Sequence, residues 1–149
     1  MKELVGYELK RAQQALRSAL NQALAELGLT APQYAVLAVL EEAPGVSSAE
    51  LARRCFVTAQ TMNAIVAGLQ RRALLERGAH PTHGRVLETR LTPAGSSLLA
   101  GAHGRVRAVE RVMTTEVSPS ERLALVDLLR RCATALERER GTDQREHRS

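Results

Sequence analysis

Aromatic side chains are nearly absent: there is no Trp, one Phe and two Tyr in 149 residues. A core made without them must come from Leu, Val, Ile and Ala, which favours packed helices. Lysine is scarce as well, with only Lys2 and Lys10 against 19 arginines, a bias expected of GC-rich bacterial coding. Cysteine occurs twice, at Cys55 and Cys132, too few for a disulfide framework and without the CxxC spacing of a zinc or thioredoxin site. The N-terminus, Met1-Lys2-Glu3-Leu4, has no apolar signal region, and no stretch approaches the ~18 apolar residues of a membrane span. A reducing cytoplasm, with no membrane partner, is the expectation. There is no hydrolase elbow, no phosphate-binding glycine loop and no dinucleotide fingerprint. His80, His83 and His103 lack metal-ligand spacing and have no acid usefully among them. Neither enzymatic activity nor a cofactor or metal is expected.

What is present suits one globular domain: 44% of residues are apolar, and the length supports a single core. The net charge of +5 is unevenly spread. Residues 1–56 are neutral on balance, residues 57–92 carry +3 and residues 93–149 carry +2. The excess is densest in the middle, as a polyanion-binding surface requires, although a solvated basic face would read the same way.

Four helix starts punctuate the chain. Thr30-Ala31-Pro32-Gln33, Ser47-Ser48-Ala49-Glu50 and Ser118-Pro119-Ser120-Glu121 are capping boxes, and Thr92-Pro93 is a start without the box. Helices are expected over about 3–27, 31–43, 48–54, 59–72, 93–116 and 119–140, with Gly28 ending the first. Residues 141–149 have no apolar content and should fray. Within Arg85–Leu91 the period changes to two: Leu87, Thr89 and Leu91 share one face, Val86, Glu88 and Arg90 the other. That is a strand with one buried face. Residues 75–80 supply an antiparallel partner, and Pro81-Thr82-His83-Gly84 the turn. The fold class is therefore mainly α with a two-stranded β wing, a winged helix-turn-helix with long terminal helices.

The fourth helix carries Met62, Ile65, Val66 and Leu69 at i, i+3, i+4 and i+7, one buried stripe. Its opposite face holds Gln60, Ala64, Ala67 and Arg71, flanked by Thr61, Asn63 and Gly68. Short amides and hydroxyls with little bulk suit a major groove, where Gln and Asn pair with adenine and Thr meets a thymine methyl. No acid occurs from Thr58 to Leu75, where one would repel phosphate. Gln60, Thr61, Asn63 and Ala64 are the candidates for base edges, and Ser48, Thr58 and Arg71 for phosphates. Leu9, Leu16, Leu20, Leu24 and Leu27 form a stripe in the first helix, and similar stripes mark the fifth and sixth. Three long apolar-faced helices exceed what a small winged helix can cover, so a homodimer on a pseudo-palindromic operator is expected.

From Leu29 to Gly95 the sequence resembles the MarR family of transcriptional regulators. The resemblance rests on Leu29-Thr30-x-x-Gln33-Tyr34-x-Val36-Leu37, Ser47-x-x-Glu50-Leu51-Ala52, Val57-Thr58-x-x-Thr61-x-x-x-Ile65-Val66-x-x-Leu69 and Leu91-Thr92-Pro93-x-Gly95. It implies a DNA-binding lobe over about 30–92 and dimerisation helices over about 3–27 and 93–140. It also implies a repressor of double-stranded DNA released by a small aromatic or phenolic effector, with Tyr34 and His103 as candidate lining residues. At the wing the family's acidic signature is replaced by His83 and Gly84, leaving Arg85 to reach a minor groove, with His83 beside it at the tip. Without the Asp the family's bracing salt bridge is not expected, and turn geometry from Gly84 is the expected substitute.

Two other functions compete. A winged helix used for protein assembly would show an apolar or acidic outer face on the fourth helix. A redox regulator would use Cys55, whose neighbours Arg53 and Arg54 favour a thiolate. The reactive cysteine of the family's peroxide sensors lies in the first helix, which has none here, so Cys55 reads better as a small buried hydrophobe. Cys132 falls in the sixth-helix stripe and reads as core or dimer packing.

Overall fold

After the first helix, each helix starts where a side chain accepts from an orphan backbone N–H of its first turn. The structure, a computed structural model, describes residues 3–79 and 87–146. Helix α1 spans Val5–Leu24 and ends in a 3-10 turn, Ala25–Leu27. It is followed by α2 (Ala31–Glu42), α3 (Ser48–Arg54) and α4 (Ala59–Arg71). Strands β1 (Leu75–Ala79) and β2 (Leu87–Leu91) come next, then α5 (Pro93–Met113) and α6 (Pro119–Glu146). No single helix among the described residues is long and apolar enough to cross a membrane.

Two of the three expected capping boxes form in full. The Gln33 amide N–H donates to Thr30 Oγ1 at 3.3 Å, while Thr30 N–H donates to Gln33 Oε1 at 3.0 Å. Ser118 and Glu121 repeat the exchange at 3.2 and 2.9 Å. At Ser47 only one half forms: its Oγ accepts from Glu50 N–H at 3.2 Å, but the Glu50 carboxylate turns to Arg53 and Arg54. Two guanidiniums make stronger, charge-assisted bonds than one neutral amide offers.

Three helix ends share a single closing motif, a pair of backbone bonds around a left-handed residue. Leu29 N–H reaches Leu24 C=O at 3.2 Å, Val57 reaches Ala52 at 3.1 Å and Leu74 reaches Leu69 at 3.0 Å. The left-handed residues are Gly28 (φ 65°), Phe56 (φ 57°) and Ala73 (φ 57°). Only glycine adopts that conformation without a Cβ penalty.

The chain divides into two compact units, Met1–Val109 and Glu110–Ser149. In the first, Leu24, Val36, Leu37, Leu40, Leu51, Met62, Val66, Leu69 and Leu99 form an aliphatic core, each contributing about 1.5–3 kcal/mol on burial. Leu99 and Ala102 of α5 belong to this core, so it extends beyond residue 92, the expected end of the lobe. The joint at the start of α5 is tight. Thr92 Oγ1 donates to Ala73 C=O at 2.6 Å and accepts from Gly95 N–H at 3.1 Å, and Thr92 N–H donates to Leu74 C=O at 3.1 Å. A Cβ on Gly95 would overlap the Leu74 carbonyl oxygen, which is why this position is glycine.

The strands pair antiparallel, Leu75 opposite Leu91 and Gly78 opposite Glu88. Thr89 is buried as the alternation requires, but Glu88, expected on the open face, is buried too. Arg90 donates to its Oε2 twice, at 3.0 and 2.6 Å, and the loop before α3 closes over it, placing Gly45 against the carboxylate. An ion pair thus replaces solvent on what patterning marks as the wet face.

In the second unit, Leu123, Leu125, Val126, Leu128, Leu129 and Leu136 of α6 are all exposed. The helix continues through Gly141 to Glu146, past its expected end near 140. A single Gly costs about 1 kcal/mol, less than is needed to stop a helix already nucleated over many turns.

Candidate nucleic-acid interface

Helix α4 presents the face that patterning assigns to it. Met62, Val66 and Leu69 are buried and Ile65 is half-buried, which turns Gln60, Thr61, Asn63 and Ala64 outward, all exposed. Thr58 starts the helix: its Oγ1 accepts from Thr61 N–H at 3.1 Å and donates to Thr61 Oγ1 at 3.0 Å. The first turn carries no acid, so the positive end of the helix dipole is left uncompensated. Arg71 is exposed at the far end of the helix.

Beside α4, helix α3 carries a cluster of charge. Glu50 receives Arg53 at 2.9 and 2.5 Å and Arg54 at 2.8 Å. These hydrogen bonds, Arg53 first, hold its carboxyl at about 2, well below the ordinary 4.5. Ser48 is half-buried, and its Oγ accepts from Arg77 Nη2 at 2.7 Å. Arg77 Nε reaches Thr89 Oγ1 at 3.3 Å, so one guanidinium ties the start of α3 to both strands of the wing. Arg77 has no place in the motif-based reading, because nothing in the spacing of residues 48, 77 and 89 marks their meeting. His83 and Arg85, the expected wing tip, lie outside the described residues.

Cys55 is half-buried against the core, and burial pushes its thiol upward despite the neighbouring arginines, the opposite of a reactive thiolate. Cys132 is exposed on α6 together with the rest of its stripe. Among the described residues there is no group of His, Cys, Asp and Glu able to hold a metal ion.

Tyr34 and His103, expected separately as lining residues, are brought together. The phenol oxygen stands 2.9 Å from His103 Nδ1, and His103 Nε2 stands 2.8 Å from Glu41 Oε2. Sequence alone gives no hint of Glu41, which lies two helical turns from Tyr34 on α2.

Short helix, turn, exposed capped helix and two-stranded wing define a winged helix-turn-helix protein. A family model described as the MarR family matches residues 27–86. The HTH-type transcriptional repressor Rv2887 of Mycobacterium tuberculosis is 40% identical over 119 residues, covering 79% of this chain and 86% of the relative. A crystal structure of that MarR family protein in complex with salicylic acid has a TM-score of 0.72 at 34% identity, covering 87% of this chain and 96% of the other. Its complex with DNA has a TM-score of 0.71 at 32% identity, with 87% and 97% covered. This chain belongs to the MarR family.

Proposed function

We propose that this chain is a repressor that binds double-stranded DNA as a homodimer and is released by a small aromatic or phenolic ligand. The observation that carries the reading is the outer face of α4, where exposed Gln60, Thr61, Asn63 and Ala64 follow the Thr58 cap with no carboxylate among them. These four read base edges, while Ser48, Thr58 and Arg71 contact phosphates. His83 and Arg85 form the wing tip, Arg85 reaching the minor groove.

The dimer is supported by the apolar residues α6 exposes and by Val5, Tyr7 and Leu9 on α1, exposed as well. Apolar residues exposed in number along a helix mark an interface. A relative captured with salicylic acid supports a phenolic effector, and the Tyr34–His103 pair supplies polar groups to meet it. The role involves no catalytic step, and its place is the cytoplasm. Protein assembly is disfavoured because the outer face of α4 is neither apolar nor acidic.

The test begins with a duplex recovered by in vitro selection on the purified protein. Fluorescence anisotropy should show binding that weakens steeply with salt, with a log–log slope near ~0.9 per phosphate contact. Light scattering should give a dimer, and salicylate should release the duplex. A stable monomer, or no selected duplex, overturns the reading.

A further inference from the structure

The one phenylalanine of the chain occupies an expensive position. Phe56 follows α3 in the turn of the helix-turn-helix, at φ 57°, and is 94% exposed. The equivalent position after the first helix is Gly28, and after α4 it is Ala73. The backbone bonds of the motif are the same at all three, so the turn itself needs no ring. A lone exposed apolar residue is ordinary on a protein surface. An aromatic in left-handed backbone with its ring in solvent carries strain without packing in return, and strain of this kind gathers at functional positions.

Resting on the DNA-binding reading above, we propose that Phe56 is a further DNA-contacting residue whose ring covers apolar surface of the duplex beside the α4 N-terminus. Phe56 is two residues before the Thr58 cap, a span of at most about 7 Å, whereas the major groove is about 12 Å wide. A duplex seated on Thr58 and Gln60 therefore brings its groove edge within reach of the ring. The charge of the surroundings selects the same occupant. From Glu50 to Leu75 a single acid, Glu50, which pairs with Arg53 and Arg54, stands against four arginines, Arg53, Arg54, Arg71 and Arg72, and the net positive charge left over suits a polyanion. The apolar groups such an edge offers are the thymine methyl and the deoxyribose, and a phenyl ring suits both.

Phe56→Gly separates the ring from the turn. Relief of the left-handed strain should raise Tm by about 2–4 °C, since glycine fits the turn better. Affinity for the selected duplex should fall about tenfold, the scale set by withdrawing a phenyl face from apolar contact. The salt slope should not change, because no charge is lost. Replacing thymines of the duplex by deoxyuridine one at a time then assigns the contact. A position that weakens wild type but not Phe56→Gly marks a methyl, and absence of any such position marks the sugar. A variant that is more stable and binds equally well overturns the proposal, and leaves the ring to a protein partner. A variant that loses Tm overturns it too, because the ring would then be structural. Failure of the wild type to select any duplex would instead sink the DNA-binding reading itself.

Discussion

Tyr34 and His103 hold each other across 69 positions of sequence, with rings edge to face at 88° and phenol oxygen 2.9 Å from Nδ1. Glu41 fixes the direction of the bonds. An ionised carboxylate only accepts, so His103 Nε2–H donates to it at 2.8 Å, and in the neutral imidazole Nδ1 is then the nitrogen that accepts from the Tyr34 hydroxyl. The three groups join α2, the first helix of the DNA-binding lobe, to α5, which leads out of it.

Tyr34→Phe removes the donor and little else, so duplex affinity should hold while release by salicylate weakens, both read by anisotropy. Burial raises the Tyr34 phenol above its usual 10.0, with Arg107 opposing and Glu41 and Glu42 adding to the rise. A pKa raised by folding adds stability that is complete below pH 10.0 and drains away as pH climbs through the folded value. Urea titrations from neutral to strongly alkaline pH should show that loss in the wild type and not in Tyr34→Phe.

Glu50 works in the opposite sense. Its carboxyl is held at about 2 by Arg53 and Arg54, so its contribution is present above pH 4.5 and is lost as pH falls toward 2. Glu50→Gln should remove that acid-sensitive component. It should also release positive charge beside α4, tightening duplex binding and steepening the salt slope by about one contact. An unchanged slope would mean that neither guanidinium reaches a phosphate.

Asn63→Ala and Arg85→Ala should fail differently. The first should cost ~1–3 kcal/mol and relax preference at one position per half-site, with Tm unchanged because the side chain is exposed. The second should weaken binding across sequences and lower the salt slope, most where the flanking minor groove is A·T-rich. Equal losses on every duplex would refute the division into a reading helix and a minor-groove wing.

Gly95→Ala drives a methyl into the Leu74 carbonyl and should cost about 3 kcal/mol in urea denaturation. Ala at Gly101, which meets nothing within 4 Å, serves as the control on the same helix.

Local rules made most of this fold legible. Caps and the change from helical to two-residue periodicity set the element order, and the α4 stripe set which face looks outward. What escaped was decided by competition or by distance. The spacing of Ser47 and Glu50 permits a reciprocal box, yet two arginines on the next turn take the carboxylate. Alternation in β2 cannot report that a loop from residue 45 covers Glu88. The meetings of Arg77 with Ser48 and of Glu41 with His103 join separate elements, and no local pattern encodes them. Phe56 was hidden for another reason: the left-handed position after a helix usually announces itself by glycine.

The joint around Thr92 also dictates how lobes of this kind can be exchanged between relatives. A chimera cut between β2 and α5 would sever the bonds from Thr92 to Ala73 and Leu74 and set a foreign residue against the space that Gly95 leaves open. The transplantable cassette must therefore carry the end of α4 and the beginning of α5 together. With Leu99 and Ala102 in the same core, the seam belongs farther along α5, where the first compact unit ends at Val109.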